Sequence, residues 1–167
     1  VWDLRDYPFD EGFVFLATGD GQVEYAPGAL LTPEEFDTYS GEILLAGVPS
    51  DIRVATARLR VLLPAREAGW MLAYNSNDYN ERVYINGQLR QTVGRPGLTA
   101  EESIPGAAYL HFEVQPADGA IEIVRQSSNF VHKDSGSLVG IFIGPPETIK
   151  QMMSHKTLFS AISMGLY

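Results

Sequence analysis

The chain has no cysteine, which removes disulfides, thiolate metal sites and cysteine nucleophiles together. Lysine is nearly absent too, with only Lys133, Lys150 and Lys156 in the whole sequence. The balance of 12 Lys+Arg against 21 Asp+Glu gives a formal net charge of −9. Such a surface repels phosphate backbones and anionic lipid, and no basic patch interleaves with aromatics, so nucleic acid is excluded as a partner. Neither a signal-peptide pattern nor a run of about 18 apolar residues is present. Tryptophan is limited to Trp2 and Trp70, too few for the flat aromatic platform of a free-standing carbohydrate-binding module.

What is present fits one folded domain. Hydrophobic residues at 45% and charged residues at 20% are ordinary for a globular core of this length. From 53 to 63 the pattern alternates, with Ala57, Leu59, Val61 and Leu63 on one face and Arg58 and Arg60 on the other. That is a half-buried strand. Further strands are expected at 12–17, 22–25, 70–74, 82–85, 88–93, 109–114, 120–127 and 140–143. Asn86-Gly87 supplies the positive φ pair of a type I′ hairpin turn. Tyr84 then shares a face with Leu89, and the partly apolar character of both faces suits a strand covered on two sides. Thr32 before Pro33, Glu34 and Glu35 marks a short helix over 33–37. The tail from Glu147 has loose helical spacing, with Ile149, Met152, Met153, Phe159 and Ile162. We expect a β-sandwich over 1–146 and a C-terminal helix over 147–167. Val1 at the start and the nearly all-apolar stretch 158–167 lead us to expect a piece of a longer chain, ending at the threshold of a membrane segment.

Strand direction places a candidate site. If successive strands alternate direction, the segments 75–81, 94–108 and 128–139 share one end of the sandwich. The tight turns at 86–87 and 115–119 share the other. Long polar loops at one end form a recognition surface, here carrying Asn75, Asn77, Asp78, Tyr79, Arg95, Glu101, Ser103, Asn129, His132 and Lys133. Amides, carboxylates and a few aromatics suit a polyhydroxylated or zwitterionic small ligand. The same residue types also populate loops because turns favour them, and Asn129 has the position of a backbone cap after a strand. Catalysis finds little support. No GxSxG elbow exists, and His132, Asp134 and Ser135 are adjacent in sequence without thereby forming a triad. No EF-hand spacing is present, so no metal or cofactor is expected.

Several motifs in order resemble a known family. They are LRDYPFD at 4–10, GQVEYAPGALLTPEEF at 21–36, VYINGQL at 83–89, VGRPGLTAEESIP at 93–105, SSNFVHKDSGSLVG at 127–140 and the closing LFSAISMGLY. Together they resemble the extracellular sensor domain of bacterial seven-transmembrane receptors with diverse intracellular signalling modules. Val23 stands where that family usually has an aromatic, which implies looser packing of the opening segment. Ser137 replaces the second glycine of its H-x-x-G-G loop. The resemblance implies an all-β jelly-roll β-sandwich of the galactose-binding-domain type, an extracytoplasmic location, and membrane and cytoplasmic modules in the full-length protein. The function implied is non-catalytic sensing of a small, carbohydrate-like ligand. The alternatives are a structural module for homodimerisation or protein-partner binding, and a free-standing carbohydrate-binding module.

Overall fold

The alternation at 53–63 becomes one long strand because each of its faces meets a different environment. The computed structural model describes residues 1–16, 23–45, 51–77, 80–131 and 140–163. In chain order these form β1 (Trp2–Asp3), β2 (Val14–Leu16), β3 (Glu24–Pro27), α1 (Pro33–Asp37), β4 (Val54–Leu62) and β5 (Trp70–Asn77). There follow β6 (Asn80–Ile85), β7 (Gln88–Val93), β8 (Ala107–Val114), β9 (Ala120–Ser128), β10 (Ile141–Gly144) and α2 (Pro146–Ser163). A six-stranded sheet has the order β1-β4-β9-β6-β7, with β3 also pairing along β4. A four-stranded sheet has the order β2-β10-β5-β8. All pairings are antiparallel except the short β1–β4 pair.

The two sheets bury one core between them. Leu59 and Val61 from β4, Ile121 and Ile123 from β9, and Val83 and Ile85 from β6 meet Trp70 and Leu72 from β5, with Phe112 and Ile143 alongside. Burying each such side chain contributes roughly 1.5–3 kcal/mol, so this set supplies most of the drive to fold. Trp70 is core, as the start of a strand suggests.

The ends of the sandwich differ. At one end Asn86 (φ 48°) and Gly87 (φ 77°) form the tight β6–β7 turn. The Asn86 amide reaches across to the neighbouring turn, donating from Nδ2 to the Gln115 carbonyl and accepting at Oδ1 from Glu122 N–H, both at 3.0 Å. At the other end the 94–106 segment folds back on the sheet and is tied to the end of β9. The 94–106 segment thus lies at the end expected from strand direction, while most of 128–139 lies outside the described residues.

Both helices cover outer faces. α1 starts with a capping box between Thr32 and Glu35. It is held to the six-stranded sheet by Arg58, which bonds Glu24 and Asp37 and lies over the Phe36 ring at 4.4 Å. α2 lies on the four-stranded sheet through Ile149, which is fully buried with Met71 and Ala73 and flanked by Phe142, Met152 and Met153. Lys150 pairs with Glu113 at 2.6 Å and Arg66 with Glu147 at 2.5 Å. Among the described residues no helix is long and apolar enough to cross a membrane.

Several expectations need correction. β5 continues through Asn77 and β6 begins at Asn80, so most of the segment expected as a 75–81 loop is strand. Pairing to β8 drives this extension, since Asn75, Ser76 and Asn77 find partners in Tyr109, Ala108 and Ala107. β7 is an edge strand with Gln88–Thr92 exposed, not a strand covered on both sides, because nothing pairs beyond it. Val23 is buried in the core at 2% exposure, so the smaller residue there does not loosen the opening segment.

Candidate functional site

The 94–106 segment is built to hold one shape. Gly94 takes φ +60°, and a Cβ there would sit 2.2 Å from the Ile104 carbonyl oxygen. That close approach lets Arg95 and Ile104 exchange both backbone hydrogen bonds, at 2.8 and 2.9 Å. Arg95 Nε donates to the Glu102 carbonyl at 2.8 Å, and Leu98 N–H donates to Glu102 Oε2 at 3.0 Å. The Ser103 hydroxyl bonds the Thr99 carbonyl at 3.0 Å.

One hydroxyl then fixes the loop to the sandwich. Ser128 Oγ, buried at the end of β9, accepts from Gly97 N–H and from Asn80 Nδ2, each at 3.2 Å, and lies 3.0 Å from Ser103 Oγ. β6, β9 and the loop therefore meet at a single atom.

Beneath this junction the interior changes character. Along β9 the inward positions run Ile121, Ile123, then Arg125 and Ser127. Along β5 they run Trp70, Leu72, then Tyr74 and Ser76. Glu81 is the inward residue at the start of β6, in register with Ser127. Arg125 donates from Nε and Nη2 to Glu81 Oε2, at 3.0 and 2.8 Å, with side-chain exposures of 3% and 0%. Its guanidinium lies 4.2 Å from the Tyr74 ring centroid. Burial works against charge on Arg125, but the neighbouring Glu81 carboxylate outweighs it and raises its pKa. Burial likewise pushes the Tyr74 phenol up. The Tyr74 hydroxyl interacts with both Glu81 and Arg125, while Glu81 Oε1 and Ser76 Oγ are buried without a hydrogen-bond partner of good geometry among the described residues.

The residues expected at the site fare unevenly. Arg95, Glu101 and Ser103 are together on the 94–106 loop, with Arg95 and Glu101 exposed. The Glu101 carboxyl is held below its usual range by its own backbone N–H and by the Thr99 hydroxyl. Asn129 is brought to the same end, but as a buried cap: its Oδ1 accepts from Val131 N–H at 3.1 Å, and its own N–H donates to the Arg53 carbonyl at 2.8 Å. Asn75 and Asn77 lie within β5, in register with Tyr109 and Ala107. Asp78, Tyr79, His132 and Lys133 lie outside the described residues. The polar layer of Tyr74, Ser76, Glu81 and Arg125, and the Ser128 junction, were missed by sequence reasoning. A signal existed: inward alternation along 121–128 passes from isoleucine to arginine and serine within one strand. No group of three or more His, Asp or Glu side chains converges as a metal site among the described residues.

No family model matches the chain, and no curated protein matches it in sequence. Solved structures do. A β-glucuronidase from Faecalibacterium prausnitzii superposes on 81% of this chain with a TM-score of 0.50 at 14% identity. The fold is a jelly-roll β-sandwich. A Ruminococcus gnavus β-glucuronidase covers 80% of the chain with a TM-score of 0.46 at 12% identity. A family 35 carbohydrate binding module from Clostridium thermocellum covers 78% of it with a TM-score of 0.36 at 8% identity. The chain spans 32% and 29% of the lengths of the two glucuronidases and 96% of the binding module.

Proposed function

We propose that this jelly roll is a non-catalytic ligand-binding domain that takes a small carbohydrate-like ligand at its loop end. We also propose that it serves as the extracytoplasmic sensor of a bacterial membrane receptor. The observation that carries the binding reading is the pre-ordered 94–106 loop, pinned at Ser128 where β9 ends and β6 begins. A loop already fixed in one shape spares a ligand the entropy of ordering it. The hydroxyl, amide and carboxylate groups gathered there suit a polyhydroxylated compound. The sensor reading rests on the sequence resemblance, which runs over nearly the whole chain.

Signalling requires that ligand favour one of two arrangements of an output element. β5 is suited to link them. Its inward face carries Tyr74 and Ser76, and its outer face carries Met71 and Ala73 under α2. The test is thermal-shift screening of the purified chain against mono- and oligosaccharides, amino acids and nucleotides. A ligand at ~100 times its dissociation constant stabilises by about 2.7 kcal/mol. A saccharide hit lost in Ser128→Ala supports the proposal; silence across the panel overturns it.

A second reading, self-association, is favoured by Phe15 and Tyr109 on the outer face of the four-stranded sheet, which are 48% and 70% exposed. Sedimentation velocity across a wide concentration range, repeated on Tyr109→Ser, tests it: a dimer dispersed by the substitution supports this reading, and a monomer throughout removes it.

A further inference from the structure

We infer that the free edge of β8 is a pairing seam for a second copy of this chain, which joins the two four-stranded sheets into one through β8 of each. This deepens the self-association reading above and rests on it. A long edge strand exposes a row of unpaired N–H and C=O groups, and folded proteins blunt such edges. Among the described residues the other edges are short, covered or bulged. β1 and β2 have two and three residues. β3 is closed on its far side by Leu44, which exchanges both backbone hydrogen bonds with Tyr25 at 2.8 Å. In β7, Gln91 faces Val83 and Leu89 faces Tyr84, so Arg90 is the extra residue of a bulge. β8 has none of these devices. Its eight residues pair with β5 without a register shift, and Ala107–Val114 holds no proline, lysine or arginine.

One bond on that edge sets the register. In an antiparallel ladder, alternate residues turn both backbone groups toward the paired strand or away from it. Arg90, on β7, donates from Nη2 to the Glu113 carbonyl at 3.4 Å, so Glu113 turns away from β5. Ala107, Tyr109 and His111 share its parity, and no strand pairs beyond β8 among the described residues. Their backbone groups therefore lie along the open edge, and Arg90 closes that edge at Glu113. Antiparallel pairing of the open stretch with its own copy centres on Tyr109. Ala107 then faces His111 of the second copy, Tyr109 faces Tyr109 and His111 faces Ala107, each pair exchanging both bonds.

Charge selects the occupant. With a formal net charge of −9, two copies of this chain repel each other over most of their surfaces. The seam is an exception. No acid lies between Ala107 and Phe112, and the acid that follows, Glu113, is held by Lys150 at 2.6 Å. The register centred on Tyr109 also keeps the two His111 side chains apart, so no like charges face each other. Tyr109 is 70% exposed on the outer face, and a two-fold axis through it brings its ring beside the same ring of the second copy. The strand is complementary to itself.

The chain has no cysteine, so single introduced thiols report the seam. Facing Cα atoms in this register lie about 5.5 Å apart, within disulfide reach, whereas the two copies of position 107 are about 13 Å out of step along the strand. Under mild oxidation the expected result is a covalent dimer of Tyr109→Cys. Ala107→Cys mixed with His111→Cys should give a covalent heterodimer, while neither alone cross-links. Tyr109→Pro removes an N–H that β5 does not use, so it should turn a dimer seen by sedimentation velocity into a folded monomer. Cross-linking of Phe15→Cys in place of Tyr109→Cys, with a dimer that survives Tyr109→Pro, overturns the seam and leaves self-association standing. Equal product from every position overturns the register, and an unfolded Tyr109→Pro overturns the premise that its N–H faces the open edge. A monomer at every concentration, with no cross-linking, overturns both readings.

Discussion

Replacing Glu81 with glutamine removes the carboxylate charge that accepts two bonds from the buried Arg125 guanidinium. The pair is almost fully enclosed, with side-chain exposures of 3% for Arg125 and 0% for Glu81, and Glu81 Oε2 accepts both bonds. Removing one member of a buried pair costs about 3–5 kcal/mol, because the remaining charge stays desolvated. Against a typical total of about 5–15 kcal/mol, that is a large share of the stability of such a domain. Arg125→Met should cost a similar amount by stranding the carboxylate. The combination Glu81→Leu with Arg125→Met removes both charges and keeps apolar bulk, so it should be neutral or stabilising by about 1–4 kcal/mol relative to wild type. Urea unfolding with matched m-values measures all of these, and the coupling energy follows once Glu81→Leu alone is measured to close the cycle with Arg125→Met and the double variant. The reasoning is refuted if each single variant loses less than about 1 kcal/mol, or if the double variant loses the sum of the singles.

Asn86→Gly keeps the positive φ but removes the bridge to Gln115 and Glu122, so urea unfolding should show a loss of about 0.5–1.5 kcal/mol per hydrogen bond removed. Thr32→Ala deletes the capping box of α1 and should cost about 1 kcal/mol, read from the shift in urea midpoint. Lys150 holds the Glu113 carboxyl below its usual range, and the backbone N–H of Glu147, with Arg66, does the same for Glu147. Depressed carboxylate values contribute stability above the unfolded value, lost as pH falls through the folded one. The α2 amide signals in NMR should hold from neutral pH to the ordinary carboxylate range of about 4 and shift below it; signals unchanged into strong acid would refute the ion-pair tether.

Local pattern revealed much of the fold. The alternation of Ala57, Leu59 and Val61 with Arg58 and Arg60 sufficed for β4, and Asn86-Gly87 for its hairpin, because each depends on neighbours in sequence. Strand direction followed from these, and with it the end where the loops gather. β1 was invisible because a two-residue strand has no period and forms only against β4. The exposed character of β7 depended on what lay beside it in space. The polar layer was missed for a different reason. Arg125 and Ser127 fall within the expected 120–127 strand and Glu81 within the expected 75–81 loop, but because charge usually signals surface, local pattern gives none of them an inward role. Only the pairing of β6 with β9 turns both inward. Ser128 shows the same limit: a serine after a strand is unremarkable until Gly97, Asn80 and Ser103 converge on its oxygen.

The central claim is that the loop end receives a ligand. Backbone amide shift mapping of the labelled chain, titrated with the neutral sugars, tests it most directly. The account predicts perturbations concentrated at 80–81, 95–104 and 127–129. Perturbations centred on the turns at 86–87 and 115–119, or none at saturating sugar, would contradict it.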